Sequence, residues 1–274
     1  MSVFALDHVG FIVGDLDAAA ERFVRLGFNL TPRGHHVLPP LTPGGAPRPA
    51  GTSNHCAMLG RGYLELLGIT DATYAGSLRG RLERYEGLHI VAFGAPDWAA
   101  AQHVLRDGRI ADATVRPLQR PIDGGLARFQ IIDFPTVPEG VFFAIHHDTP
   151  ELLWQPELLE HPNGAIGLDS VTVAVADPAG FAARLGHLLT GATTTETIEL
   201  ASGRVRIVDA AWLAANLPRP TPTLPYVAGI TLRSCDLAGT AALLRANGVD
   251  VREHAGGLLV PPEQACGGFI EFVG

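Results

Sequence analysis

The chain has 274 residues, 47% of them hydrophobic, and its 20 basic and 28 acidic residues give a net charge of −8. That length supports one large domain or two modest ones, and an acidic balance without blocks excludes the clustered positive surface that nucleic acids and anionic membranes require. Every basic residue is arginine, which removes Schiff-base lysine chemistry and the phosphate-binding P-loop.

Cys56, Cys235 and Cys266 have no metal-ligand spacing and read as buried thiols. No apolar run approaches a membrane span and no signal-peptide pattern develops before Asp7, so a soluble, cytoplasmic chain acting on a small molecule is expected.

The first predicted elements begin at Leu6, where LDHVGFIVGDLDAAAERFVRLGF reads as an apolar strand, a turn at Asp15 and an amphipathic helix. Leu16, Ala20, Phe23 and Val24 form its predicted core face, and Gly27 stands at its end. The stretch from Leu38 to Gly51 is too rich in proline for an interior strand and reads as a surface loop or lid. SNHCAMLGRGYLELLG follows as a hairpin turning at Gly60 to Gly62. Asn54 and His55 alternate on its first strand, and Asn54, sharing parity with Cys56 and Met58, is expected inward.

The phrase recurs at Leu88 (LHIVAFGAPDWAAAQHVLRDG), with Asp97 at the turn, Gly108 at the helix end and GVFFAIHHD as closing strand. TPELLWQPELLEHPNG, from Thr149, breaks the pattern and reads as a linker. A third copy starts at Leu168, with Asp177, a helix face of Phe181, Leu185, Leu188 and Leu189, Gly191, and GRVRIVD. A fourth starts at Ala228, with Asp236, Gly248 and the closing strand GGFIEFVG.

Aligning the copies places His8, His89, Ser170 and Gly229 at one position, followed after seven, eight, seven and seven residues by Asp15, Asp97, Asp177 and Asp236. The aspartates stand where helices begin, which suits N-cap carboxylates. The closing strands align Glu65 with Phe143, Arg206 and Glu271. One strand, one helix and three strands form the unit, so an α+β fold of four βαβββ modules is expected. Modules one and two would occupy residues 1–150, a linker 151–165, and modules three and four 166–274.

A βαβββ unit opening on LDHVGFIV and closing on YLELLG resembles the vicinal oxygen chelate superfamily, and GTSNHCAML and HHDTPELLWQPELLEHPNG are similar to its glyoxalase-like domain proteins. The resemblance implies two cup-shaped half-barrels, with metal ligands from the first and last strands of paired modules. Carried over, it assigns His8, Glu65 and His89 to a divalent metal (Zn, Ni, Mn or Fe), with Phe143 at the fourth position and His147 reaching the metal only through a bulge. Glu65 and His147 become candidate catalytic groups, and Asn54, Arg33 and Arg128 candidate substrate-binding groups. The implied activity is metal-dependent lyase or isomerase chemistry through an enediolate-type intermediate. Two alternatives stand beside it: a metal-free binding or sequestering protein, and an extradiol-type dioxygenase, which the second half disfavours. There Ser170, Arg206, Gly229 and Glu271 occupy the ligand positions, and Arg206 facing Glu271 reads as a salt bridge. A monomer or a homodimer is compatible with four modules in one chain.

Overall fold

Each copy of the repeat opens on a strand buried nearly throughout, because it lies mid-sheet and is covered on both faces. The computed structural model describes residues 2–38, 40–42, 44–74, 76–106, 110, 113–122, 124–191, 196–217, 221–254 and 256–274. Gly108 lies outside them.

The first module is β1 (Ala5–Val13), α1 (Leu16–Arg25), β2 (Gly34–Leu38), β3 (Arg48–Met58) and β4 (Tyr63–Ile69), followed by a connecting helix α2 (Leu78–Arg84). The second is β5 (Gly87–Gly94), α3 (Trp98–Arg106), β6 (Arg116–Ile122), β7 (Gly125–Asp133) and β8 (Val141–His147). The third is β9 (Ala165–Ala174), α4 (Pro178–Leu189), β10 (Thr197–Glu199) and β11 (Arg204–Val208), and a short helix α5 (Ala210–Asn216) follows it. The fourth is β12 (Tyr226–Ser234), α6 (Leu237–Ala246), β13 (Arg252–His254), β14 (Gly257–Val260) and β15 (Phe269–Val273). Among the described residues the third module has two closing strands where the others have three.

The strands form an eight-stranded sheet, β2-β3-β4-β1-β5-β8-β7-β6, and a seven-stranded sheet, β10-β11-β9-β12-β15-β14-β13. In each, the opening strands of two modules pair antiparallel at the centre and each closing strand runs parallel to its own opening strand. In the first sheet β2 comes up against β6, which curls it into a cup. The main core is shared between the halves: Phe11, Phe23, Phe93, Phe142, Phe181 and Phe272 belong to one buried cluster. Two smaller apolar clusters lie apart from it, one with Tyr63, Ile90, Phe129 and Phe143, which line the first cup, the other with Tyr226 and Phe269.

All four repeat aspartates cap helices: Asp15 accepts from the Asp17 and Ala18 N–H groups, Asp97 from Ala100, Asp177 from Gly180 and Asp236 from Gly239. The face of α4 is buried as the spacing requires. On α1 the buried residues are Leu16, Ala19 and Phe23, and Val24 is 58% exposed, since the i, i+3, i+7 set follows the core and Val24 falls past its edge. Cys235 is exposed, not buried.

The segment after β8 is tied down more firmly than a linker. Leu153 is buried, the Trp154 indole donates to the Leu59 carbonyl, His161 contacts the Met58 carbonyl at 2.7 Å and Asn163 donates to the Leu26 carbonyl. Among the described residues no helix is long and apolar enough to cross a membrane.

Candidate functional site

The opening strands are not regular, and their irregularity decides which side chains enter the cups. Where β1 meets β5, Leu6 pairs with Phe93 and His8 with Ala92, so Asp7 is an extra, bulged residue. Farther along, Gly10 pairs with Ile90 and Phe11 with Leu88, so His89 is the extra residue of β5. The second sheet repeats both irregularities, at Asp169 and Ala228. A bulge lets neighbouring side chains leave the strict alternation of a strand.

Lateral pairing then shows which positions correspond. His8 lies beside Tyr63, Ile90 beside Val141, Ser170 beside Arg204 and Gly229 beside Phe269. Two residues on, Gly10 lies beside Glu65, Ala92 beside Phe143, Thr172 beside Arg206 and Thr231 beside Glu271. The counterpart of His8 in the second module is therefore Ile90, and His89 corresponds to Asp7. The spacing carried the warning: His89 precedes Asp97 by eight residues where the other copies have seven, and Ile90 restores seven. A slip of one residue moves a side chain to the other face of a strand.

His8, Tyr63, Glu65, Ile90, Phe129 and Phe143 line a cavity of about 730 Å³ in the first cup. The His8 ring stacks on Tyr63 at 4.3 Å and meets Phe143 edge-on at 5.7 Å. Its Nδ1 lies 2.7 Å from Asp7 Oδ1, and both Asp7 oxygens lie 3.1 Å from His147 Nε2. Burial alone would raise the Asp7 carboxyl, yet the two imidazoles outweigh it and hold the group well below the usual carboxylate range. An ionised Asp7 only accepts, so His8 donates to it from Nδ1, and Nε2 is the ring nitrogen left to meet a ligand.

Asn54 turns inward, as its parity with Cys56 and Met58 requires, and donates to Glu65 Oε1 at 2.6 Å. Burial pushes the Glu65 carboxyl up, but His36, His8, Arg120 and the Asn54 bond together bring it below its ordinary value. His36, with Nε2 3.8 Å from Glu65, is lowered in turn, burial prevailing over the nearby carboxylate. Burial, aided by Asp7 and Glu65, lifts the Tyr63 phenol well above its usual value and keeps it protonated.

The remaining sequence candidates lie elsewhere. His89 stacks on Tyr85 at 3.9 Å with Nε2 3.0 Å from the Tyr85 carbonyl, away from the cavity; burial, with Arg81 and Arg84, pushes its pKa down to about 4. Arg128 is exposed, because Ala127 and Phe129 on either side of it face the cup. Arg33 pairs with Asp17 and borders a second cavity of about 740 Å³. His147 is walled in by Tyr63, Phe129 and Trp154, and β8 runs in unbroken register with β7, so no bulge carries it to the position of Phe143. It reaches the site through Asp7 instead.

The metal assignment does not fit this arrangement. The four family positions hold His8, Glu65, Ile90 and Phe143, two donors and two hydrocarbons, and among the described residues no three His, Cys, Asp or Glu side chains are placed to share an ion. Sequence reasoning missed His36 and Arg120, both of which line the first cavity. Parity could have found Arg120: β6 pairs it with Ala127, one of the cup-facing residues of β7.

The second cup is smaller and charged. Its cavity of about 310 Å³ is crossed by Arg206–Glu271 at 3.4 Å and Arg204–Asp169 at 2.5 Å, with Thr231 donating to Glu271. Arginine and acid satisfy one another there.

Residues 6–189 match the glyoxalase-like domain family. The chain belongs to that family. The paired βαβββ cups are the vicinal oxygen chelate fold, and three solved structures share it. A hypothetical protein from Staphylococcus aureus is 12% identical over 98% of both chains, with a TM-score of 0.65. A fusion of a xylose isomerase-like TIM barrel with 4-hydroxyphenylpyruvate dioxygenase is 12% identical, at 0.59, over 98% of this chain and 48% of that one. A variant of 4-hydroxymandelate synthase from Streptomyces coelicolor is 14% identical, at 0.58, over 100% of this chain and 93% of that one. No protein of curated function matches the glyoxalase-like sequence.

Proposed function

We propose that the first cup is a small-molecule site in which the chain's own side chains, and not a protein-held metal, supply the chemistry. His8 Nε2 is the proton acceptor, because Asp7 occupies Nδ1 and the ring stands in the cavity wall. Glu65, held ionised and already bonded to Asn54, is a weaker base and serves to accept a hydrogen bond from the ligand. The protonated Tyr63 phenol beside His8 is an available donor. An acceptor and a donor facing one apolar cavity support proton transfer on a small oxygenated molecule, which is isomerase or lyase chemistry, and binding alone is its limiting case.

The observation that carries this reading is that the second module offers Ile90 and Phe143 at the ligand positions. The metal-dependent reading retains one favourable observation, that His8 and Glu65 line the same cavity. Elemental analysis of protein purified without added metal separates them. The metal-free reading expects well under one transition-metal ion per chain. A stoichiometric ion that disappears in both His8→Ala and Glu65→Ala protein would overturn it.

A further inference from the structure

We infer that Arg120 is the anchor for a ligand carboxylate, so that the first cup takes small monocarboxylic acids with an apolar body. The inference rests on the small-molecule reading of that cup and adds the class of ligand.

Arg120 lies on β6 and is only 9% exposed. Its Nη2 donates to Cys56 Sγ at 3.9 Å, a weak acceptor, and its buried Nε has no hydrogen-bond partner. Among the described residues no carboxylate stands within ion-pair distance of it. Glu65, which acts on it through space, is engaged by Asn54. A buried guanidinium without a counter-ion is costly, and such charges are ordinarily paired. The other buried or half-buried arginines of the cups follow that rule: Arg204 has Asp169 and Arg206 has Glu271.

The surroundings supply the missing partner's description. Arg120 and Val37 line both the 730 Å³ cavity and the 740 Å³ cavity next to it, so the guanidinium stands where the two meet. A planar fork of N–H donors matches a carboxylate in two-point contact. Ile90, Phe129, Ile131, Phe143 and Ile145 offer hydrocarbon on one side, and Ile122, Leu153 and Leu158 on the other. One positive charge balances one negative charge, and the ionised Glu65 in the same cavity opposes a dianion, which favours a monocarboxylate over a phosphate ester.

Benzoate and 3-phenylpropionate, each set against its amide, test the anchor by thermal shift and calorimetric titration, with inorganic phosphate as a further probe. The inference expects at least one acid to bind wild-type protein tenfold or more tightly than its amide, with phosphate giving no stabilisation. Arg120→Met should abolish that preference and, without ligand, melt no lower than wild type, because an apolar side chain replaces an unpaired buried charge. Equal binding of acids and amides overturns the anchor and leaves the cup reading standing. Binding of none of the four overturns the cup reading and the anchor with it. A large fall in the melting temperature of Arg120→Met, with the acid preference retained in that same variant, would make the residue structural and sink the inference.

Discussion

His89 shows how one side chain can look functional in sequence and serve the fold in space. Its imidazole is buried against Tyr85, and its pKa falls to about 4, from an ordinary value near 6.5 in an unfolded chain. Between those values the unfolded state binds a proton that the folded state refuses, so stability rises with pH through the window and is lost on acidification. His36 and His161 are shifted in the same direction. Asp7 acts lower down: its depressed carboxyl contributes stability above pH of about 4 that is lost below it. His89→Gln should therefore flatten the decline in melting temperature between pH 6.5 and 4 by a few degrees, without removing it, and leave the decline below pH 4 intact. A variant whose pH profile superimposes on that of wild type would contradict the buried-neutral assignment. Parity with Cys56 and Met58 made the inward turn of Asn54 legible from the sequence. The same parity, followed across the β6–β7 hairpin, turns Arg128 outward and brings Arg120, opposite Ala127, inward, but it needs the register of that hairpin, which the strand pattern alone does not fix.

At the scale of elements, the four helices and their aspartate caps were legible because capping is local: a carboxylate and the N–H groups it serves lie within three residues. The bulges at Asp7 and His89 were not, because a bulge is defined by two strands, although the eight-residue offset at Asp97 was its trace. The segment from Thr149 to Asn163 departs from the sequence expectation for a related reason. Its prolines and broken periodicity look like a linker, yet Trp154, His161 and Asn163 bond it to Leu59, Met58 and Leu26. The hairpin tip between β2 and β3 carries Leu41 at 80% exposure. Limited proteolysis should consequently begin between Leu38 and Arg48 and spare the 149–163 segment, since cleavage follows local opening. First cuts within 149–163 would show that its anchoring bonds open readily.

Across the whole molecule, one repeated unit supports two unlike cups. The same register positions hold His8, Glu65, Ile90 and Phe143 in one and Ser170, Arg206, Gly229 and Glu271 in the other. The first retains an open, largely apolar cavity with an unpaired arginine, whereas the second closes on its own salt bridges. We propose residues 1–150 as the functional unit and 166–274 as its partner domain, although their shared core, in which Phe142 meets Phe181 at 6.1 Å, argues that they unfold together. Fold and repeat were readable because they rest on periodicity. The division of labour was only half readable, since it depends on which charges find partners across strands distant in sequence. Crystals of the protein soaked with small carboxylic acids test this division most directly. The account predicts bound density in the first cup, with the carboxylate on Arg120 and the body against Phe129 and Phe143. Density confined to the second cup, between Arg206 and Glu271, would contradict it.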